Sequence, residues 1–245
     1  MLLDPGQLAV VAIVAVFAAT VGGIGGFGSG AIITAALAPL IGVKALIPVM
    51  AVAGAIINAG RFWFYRKSVE RRTLVLVVAC ALPFLVLGTW IYSEMNSRAV
   101  GTVIGLAVIG SIPLRRFLTR KAIRVETRGL AVGAGVFGLA SGLTTGTGVI
   151  LVSLLLGAGL AGPAVLATDA FVGIALDVCK ALLFRKFALL DGEAILTGAV
   201  IGVATIPGSA LAAWLVTRMH AHLHVLFMES LVLLGGISLL VNSWR

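Results

Sequence analysis

The feature that most constrains this chain is a succession of apolar runs, most about 20 residues long, punctuated by charges, prolines and glycines. At 1.5 Å rise per residue, about 20 residues cross a ~30 Å hydrocarbon layer as a helix. In lipid every backbone polar group must be satisfied internally, so only helices and closed barrels span. A barrel would show strands of roughly ten residues alternating polar and apolar, and these runs do not alternate. Composition agrees: 60% of the 245 residues are apolar and 11% charged, where a soluble domain carries about 25% charged residues. The chain therefore reads as an all-α membrane protein.

Bounding each run gives eight expected spans, at residues 8–40, 43–65, 73–92, 98–114, 129–157, 161–184, 192–217 and 222–242. The segment Met1 to Ala12 lacks a basic stretch, carries Asp4 and leads into an apolar run longer than a signal peptide's, so it reads as a retained first span. Cys80 and Cys179 both fall inside apolar segments, where packing explains them better than a disulfide.

With the N-terminus on the cytoplasmic side, the inner loops hold thirteen of the eighteen Lys and Arg: Arg66, Lys67, Arg71, Arg72, the cluster Arg115, Arg116, Arg120, Lys121, Arg124 and Arg128, then Arg185, Lys186 and Arg245. The outer loops hold Lys44, Arg98 and Arg218, and Arg61 and Lys180 lie within spans. This positive-inside bias predicts cytoplasmic termini. It also accounts for the +9 net charge without nucleic acid, leaving the lipid bilayer as the partner the composition demands. Whether two copies pair as a homodimer is left open.

The basic segment 115–128 divides the chain into an N-terminal repeat, 1–114, and a C-terminal repeat, 129–245, with the segment itself a cytoplasmic linker. Displaced by 119 residues, Gly54, Asn58, Arg61, Arg66 and Lys67 fall on Gly173, Asp177, Lys180, Arg185 and Lys186. With a one-residue shift, Gly28 and Gly30 fall on Gly146 and Gly148. Four spans per half would give both halves the same orientation; if the glycine segments do not make one net crossing each, the relation becomes inverted.

GIGGFG at Gly23 to Gly28 matches the G-x-G-x-x-G of a dinucleotide turn, but that turn needs a strand before it, a helix after it and an acidic residue about 20 positions on. Here the run upstream is AVVAIVAVFAA and the next acidic residue after Asp4 is Glu70. No nucleotide cofactor is expected, and no G-x-x-x-x-G-K-[ST] suggests ATP drive. Successive G-x-x-x-G spacings at Gly22, Gly26 and Gly30, and at Gly138, Gly142 and Gly146, fit close helix packing. The runs Gly25 to Gly30 and Thr144 to Gly148 fit broken helices better. Each glycine weakens a helix by about 1 kcal/mol, and a fresh half-helix offers free N–H groups to an anion. The candidate binding residues are therefore Gly26, Gly28, Ser29 and Gly30 in one half and Thr144, Thr145, Gly146, Thr147 and Gly148 in the other.

Asp169, Gly173, Asp177 and Lys180 are spaced 4, 4 and 3, within roughly 80° of one helix face, and Gly54, Asn58 and Arg61 repeat the stripe. Intramembrane charges usually face a bundle interior or aqueous cavity. Asn58, Arg61, Asp177 and Lys180 thus join the candidate site as a polar, partly cationic layer, with snorkelling to the headgroups the bland alternative for Arg61 and Lys180. Asp169, Asp177 and Glu229 are the carboxylates that could hold a coupling ion, proton or sodium. His220, His222 and His224 alternate on a helix and fit an interface better than a metal site; no H-E-x-x-H is present and no metal is expected. Trp63, Tyr65, Trp90, Tyr92 and Trp244 fall at span ends, as interface anchors do.

In order and duplication the motifs GIGGFGSG (Gly23 to Gly30), SGLTTGTG (Ser141 to Gly148), AVLATDA (Ala164 to Ala170), FYRK (Phe64 to Lys67) and FRK (Phe184 to Lys186) resemble the sulfite exporter TauE/SafE family over nearly the full chain. The resemblance implies a non-enzymatic secondary transporter moving small anions such as sulfite, sulfoacetate or related sulfonates across the bacterial inner membrane. The sequence departs from the family pattern where Phe27 and Ser29, and Thr145 and Thr147, interrupt the glycine triplets. Thr34 and Ala35 stand where a proline is common. A passive anion channel is the alternative, and an intramembrane enzyme a more distant one.

Overall fold

The computed structural model describes residues 4–25, 29–120, 125–216 and the single positions 233, 237 and 241. The described residues form α-helices and no strands: α1 (Pro5–Gly25), α2 (Ser29–Ile41), α3 (Val43–Tyr65), α4 (Arg71–Glu94), α5 (Ser97–Arg120), α6 (Thr127–Leu143), α7 (Gly148–Gly157), α8 (Pro163–Lys186) and α9 (Gly192–Val216), with a 3₁₀ turn, Arg66–Ser68, between α3 and α4. Stretches long and apolar enough to cross a membrane are Val43–Trp63, Arg71–Glu94 and Gly192–Leu211. Large apolar side chains point outward, Val132 at 71% and Val75 at 66% exposure, which suits lipid rather than water. The chain is a multi-pass membrane protein.

The expected span 129–157 is two helices, and the reason is local. Thr144 is extended and Gly146 has φ +81, the left-handed region that glycine enters without penalty. The two helices then fold back on one another. Val125, just before α6, donates its N–H to the carbonyl of Gly157 at the end of α7 at 2.8 Å. A side chain at Gly133 would strike Leu154, and the hydroxyls of Ser141 and Thr147 meet at 2.7 Å across the turn. The segment is a hairpin that begins and finishes on one side, not a single broken crossing. The expected span 8–40 likewise divides, into α1 and α2, which pack together; Gly26 and Gly28 lie outside the described residues.

Helices α3 and α8, equivalent in the sequence repeat, run antiparallel. Gly54 faces Asp177, Asn58 faces Gly173, and Arg61 reaches Asp169, so position numbers rise along one helix as they fall along the other. The first two contacts are reciprocal, because the repeat exchanges Gly54 with Gly173 and Asn58 with Asp177. The same exchange relates α4 packed on α6 to α9 packed on α1, and α3 on α9 to α8 on α4. Repeat-related helices are therefore inverted, which corrects the expectation of a shared orientation. The physical cause is the hairpin, which removes one crossing from the half that contains it.

Close approach at these pairings depends on small residues. Side chains at Gly138 and Gly142 of α6 would collide with the backbone of Ala81, Leu85 and Gly88 in α4, and one at Gly208 of α9 with the carbonyl of Val16 in α1. The buried core divides accordingly. One cluster joins α1, α2, α3, α5 and α9 together with Tyr92 of α4 and Phe184 of α8, and the other joins α4, α6, α7 and α8.

Two polar contacts mark the ends of the bundle. At one end the Glu70 N–H donates to the Thr168 hydroxyl at 3.2 Å, joining the start of α4 to the start of α8. At the other the Tyr92 hydroxyl donates to the Lys44 carbonyl at 3.0 Å, and its ring lies 5.3 Å edge-on from Phe184. Tyr92 is fully buried and so is no interface anchor, whereas Trp63, under the Arg66 guanidinium at 4.0 Å, and Trp90 are exposed. Helix α5 continues to Arg120, through the first part of the segment expected to be a linker.

Candidate functional site

Helices α3 and α8 carry their polar stripes toward each other, and the tip of the α6–α7 hairpin closes over them. The result is a cavity of about 200 Å³ lined by Gly30 of α2, Gly54, Asn58 and Arg61 of α3, Ser141 of α6, Thr144 to Gly148 at the hairpin turn, and Asp169, Gly173, Asp177 and Lys180 of α8. Met50, Ile57, Phe137, Leu151 and Leu176 complete its apolar wall. The two halves also touch where the Thr34 hydroxyl of α2 meets that of Thr145 at 3.0 Å.

The charges are paired. Arg61 Nη2 lies 2.7 Å from Asp169 Oδ2, and Lys180 Nζ lies 3.1 Å from Asp177 Oδ1. Asn58 links the pairs, donating from Nδ2 to Asp177 Oδ2 at 3.2 Å and accepting from Arg61 Nη1 at 3.4 Å. Lys180 also donates to the Ser141 carbonyl at 3.2 Å, near the C-terminal end of α6, where a cation meets the negative end of the helix dipole. Lys180 is only 5% exposed, so it does not snorkel. The expected cationic layer is thus two ion pairs whose four charges sum to zero, because carboxylates on α8 answer both cations.

Two helix starts border the cavity. Helix α7 begins at Gly148 behind Thr147, and α2 begins at Ser29 with Gly30 in the cavity wall. The first N–H groups of a helix have no acceptor within it and carry the positive end of its dipole. Their N-termini converge on the space that Arg61 and Lys180 also reach.

Of the candidate residues, Gly30, Asn58, Arg61, Thr144 to Gly148, Asp169, Asp177 and Lys180 come together here. Ser29 opens α2 beside them. Gly26, Gly28, Glu229 and the histidines 220, 222 and 224 lie outside the described residues. Ser141 and Thr34 escaped the sequence-based site, although Ser141 opens the quoted SGLTTGTG motif. Their roles depend on partners far away in sequence. Among the described residues no cluster of three His, Cys, Asp or Glu side chains could hold a metal ion.

A neutral-sum, polar cavity buried between repeat-related helices of a lipid-facing bundle belongs to the class of membrane transporters. The chain belongs to the sulfite exporter TauE/SafE family, which it matches over residues 11–239. No curated protein and no solved structure gives a significant match.

Proposed function

We propose that this protein is a secondary transporter that exports small sulfur-containing anions, such as sulfite, sulfoacetate or related sulfonates, across the bacterial inner membrane. The observation that carries the reading is the convergence of two helix N-termini on the cavity that holds Arg61 and Lys180. A sulfite or sulfonate group has three acceptor oxygens; N–H groups at the starts of α2 and α7 and the hydroxyls of Thr144, Thr145 and Thr147 supply donors in number. The two repeats act as the two halves of the carrier, each lending one glycine-rich segment to the site.

In this reading the N-terminal half makes one hairpin entry and three crossings, and the described part of the C-terminal half makes one hairpin entry and two crossings. The end of the bundle bearing Arg66, Lys67, Arg71, Arg72, Arg115, Arg116, Arg120 and Arg128 is cytoplasmic. The opposite end carries Lys44, Arg98, Arg185 and Lys186 offset by Glu94, Asp191 and Glu193. The N-terminus then lies outside, which reverses the orientation inferred from eight single crossings.

Counterflow tests the function: proteoliposomes preloaded with unlabelled sulfite transiently accumulate labelled sulfite if the protein is a carrier. A passive channel equilibrates the label without overshoot. Thermal shift against sulfite, sulfoacetate, thiosulfate, taurine and carboxylate analogues ranks the ligands, since a bound ligand raises apparent stability.

A further inference from the structure

The four charges of the cavity balance: Arg61 against Asp169, and Lys180 against Asp177, on facing helices. An anion entering this arrangement adds a full negative charge to a partly buried site whose side-chain charges already cancel, with only the partial positive ends of α2 and α7 set against it. We propose that the protein moves its anion in singly charged form together with one proton, and that Asp177 is the group that takes the proton. The inference rests on the anion-transporter reading of the same cavity and adds the coupling ion, its stoichiometry and its carrier.

Asp177 is singled out by what surrounds it. On its own helix it faces Lys180, with Asp169 two turns earlier; on α3 it faces Asn58 and Gly54, with Arg61 one turn beyond; from α6 the Ser141 carbonyl approaches through Lys180. A proton on Asp177 removes the charge that occupies Lys180 and leaves the ammonium a donor for the anion. Lys180 does not swing away, because the Ser141 carbonyl still holds it. Asn58 presents Nδ2 to Asp177 and its oxygen to Arg61, so a protonated Asp177 gains the amide oxygen as acceptor when the Asn58 amide flips. Arg61 is the poorer candidate to be released in this way. Its side chain is 41% exposed, its 2.7 Å bond to Asp169 is the shorter of the two pairs, and it also donates to Asn58. Sodium fits less well than a proton, because Asp177 already has a cation 3.1 Å away and a second fixed cation would be repelled.

No covalent change is involved. The proton arrives with the anion, sits on Asp177 while Lys180 binds the anion, and leaves on the side where the anion leaves, so that the ion pair re-forms in the empty carrier; export by this route runs down the anion's own outward gradient and carries the proton out with it. Anion and proton binding favour each other, and the loaded and empty sites have the same net charge.

Full-length protein in liposomes, with protein-free liposomes subtracted to remove leak, tests this with labelled sulfite as probe. Sulfite counterflow is the first measurement, and none at all would overturn the transporter reading and this inference with it. Given counterflow, net uptake is expected to ignore a potassium–valinomycin potential and to follow a pH gradient. Each coupled proton gives about tenfold accumulation per pH unit, inside alkaline. Uptake driven by the potential and indifferent to the pH gradient overturns proton coupling while leaving transport intact. In Asp177→Asn, exchange is expected to persist while net flux becomes sensitive to the potential, a change that mere loosening of the structure does not produce. A D177N protein that remains electroneutral and pH-driven overturns the assignment to Asp177. The wild-type measurement stands whether or not the variant folds.

Discussion

At the scale of single residues, the paired charges make sharp statements about stability. Removing one partner of a buried ion pair leaves the other uncompensated, at a cost of about 3–5 kcal/mol, whereas removing both is often nearly neutral. Lys180→Met is therefore expected to lower the unfolding temperature in detergent strongly, and Lys180→Met with Asp177→Asn to recover most of the loss. Additive effects would show that Lys180 and Asp177 do not act as a pair. Outside the membrane, Glu70 caps α4, accepting the N–H of Thr73 at 2.6 Å and of Arg72 at 3.3 Å. Hydrogen bonding to Thr73, side chain and backbone, holds its carboxyl below the ordinary 4.5, helped by Arg72. The sign follows from the depressed value: the stabilisation is fully present above the ordinary pKa and is lost as pH falls through the folded one. Glu70→Gln should thus reduce stability near neutrality, by at most about 1 kcal/mol because the group is solvated and screened. The difference from the parent should vanish in strong acid, as scanning calorimetry at several pH values would reveal. The residues of the stripe were legible in the sequence because a spacing of 4, 4 and 3 is a property of one helix. Their pairing was not, because Arg61 and Asp169 lie 108 positions apart and only the antiparallel contact of α3 and α8 brings them together.

At the scale of elements, the glycines divide between two jobs that share one sequence signature. Gly138 and Gly142 are packing residues: a side chain at Gly142 would meet the Leu85 carbonyl and the Thr89 N–H, both at 2.7 Å, and these are backbone atoms that cannot swing aside. Gly146 is a turn residue at φ +81, and Gly148 has open space where a side chain would go. Composition could say that residues 144–148 break a helix, since β-branched threonines and glycine all disfavour one. It could not say whether the chain then continues or returns, because a kink and a hairpin use the same local residues. The bond from Val125 to Gly157 decides, and it joins positions flanking the whole segment. The outcomes of substitution separate the jobs. Gly142→Leu should force α4 and α6 apart and reduce the amount of folded protein, the overpacking alone being worth about 1–3 kcal/mol. Gly146→Leu should insert and fold with a smaller loss, about 1–2 kcal/mol for a left-handed residue with a side chain, yet abolish sulfite counterflow. Gly148→Ala should retain both folding and transport. Size-exclusion yield and counterflow on the three variants would check the ranking, and normal transport by Gly146→Leu would remove the hairpin turn from the site.

At the scale of the whole molecule, the direction of one hairpin sets the orientation of everything else. Charge counting along eight single crossings places Arg185 and Lys186 on the same side as Arg66 and Lys67, because the repeat aligns these two pairs. The packing separates them: Arg66 follows the end of α3, which lies beside Asp169 near the start of α8, whereas Arg185 follows Phe184 at the far end of α8, beside Tyr92 and Lys44. An inverted repeat must put equivalent loops on opposite sides, so the charge rule can be satisfied by only one of the two pairs. In the proposed orientation the heavier cluster, with Arg71, Arg72, Arg115, Arg116, Arg120 and Arg128, goes to the cytoplasm with the first. The measurement that checks the orientation uses single cysteines in a background lacking Cys80 and Cys179. In intact cells a membrane-impermeant maleimide should label Asp4→Cys and Ser97→Cys and leave Ser68→Cys unreacted until the membrane is opened. Labelling of Ser97→Cys with protection of both Asp4→Cys and Ser68→Cys would restore a first segment that crosses once. The antiparallel contact of Asn58 with Asp177 would be untouched by that outcome, because the relative direction of α3 and α8 is set by what lies between them, α4, α5 and the α6–α7 hairpin.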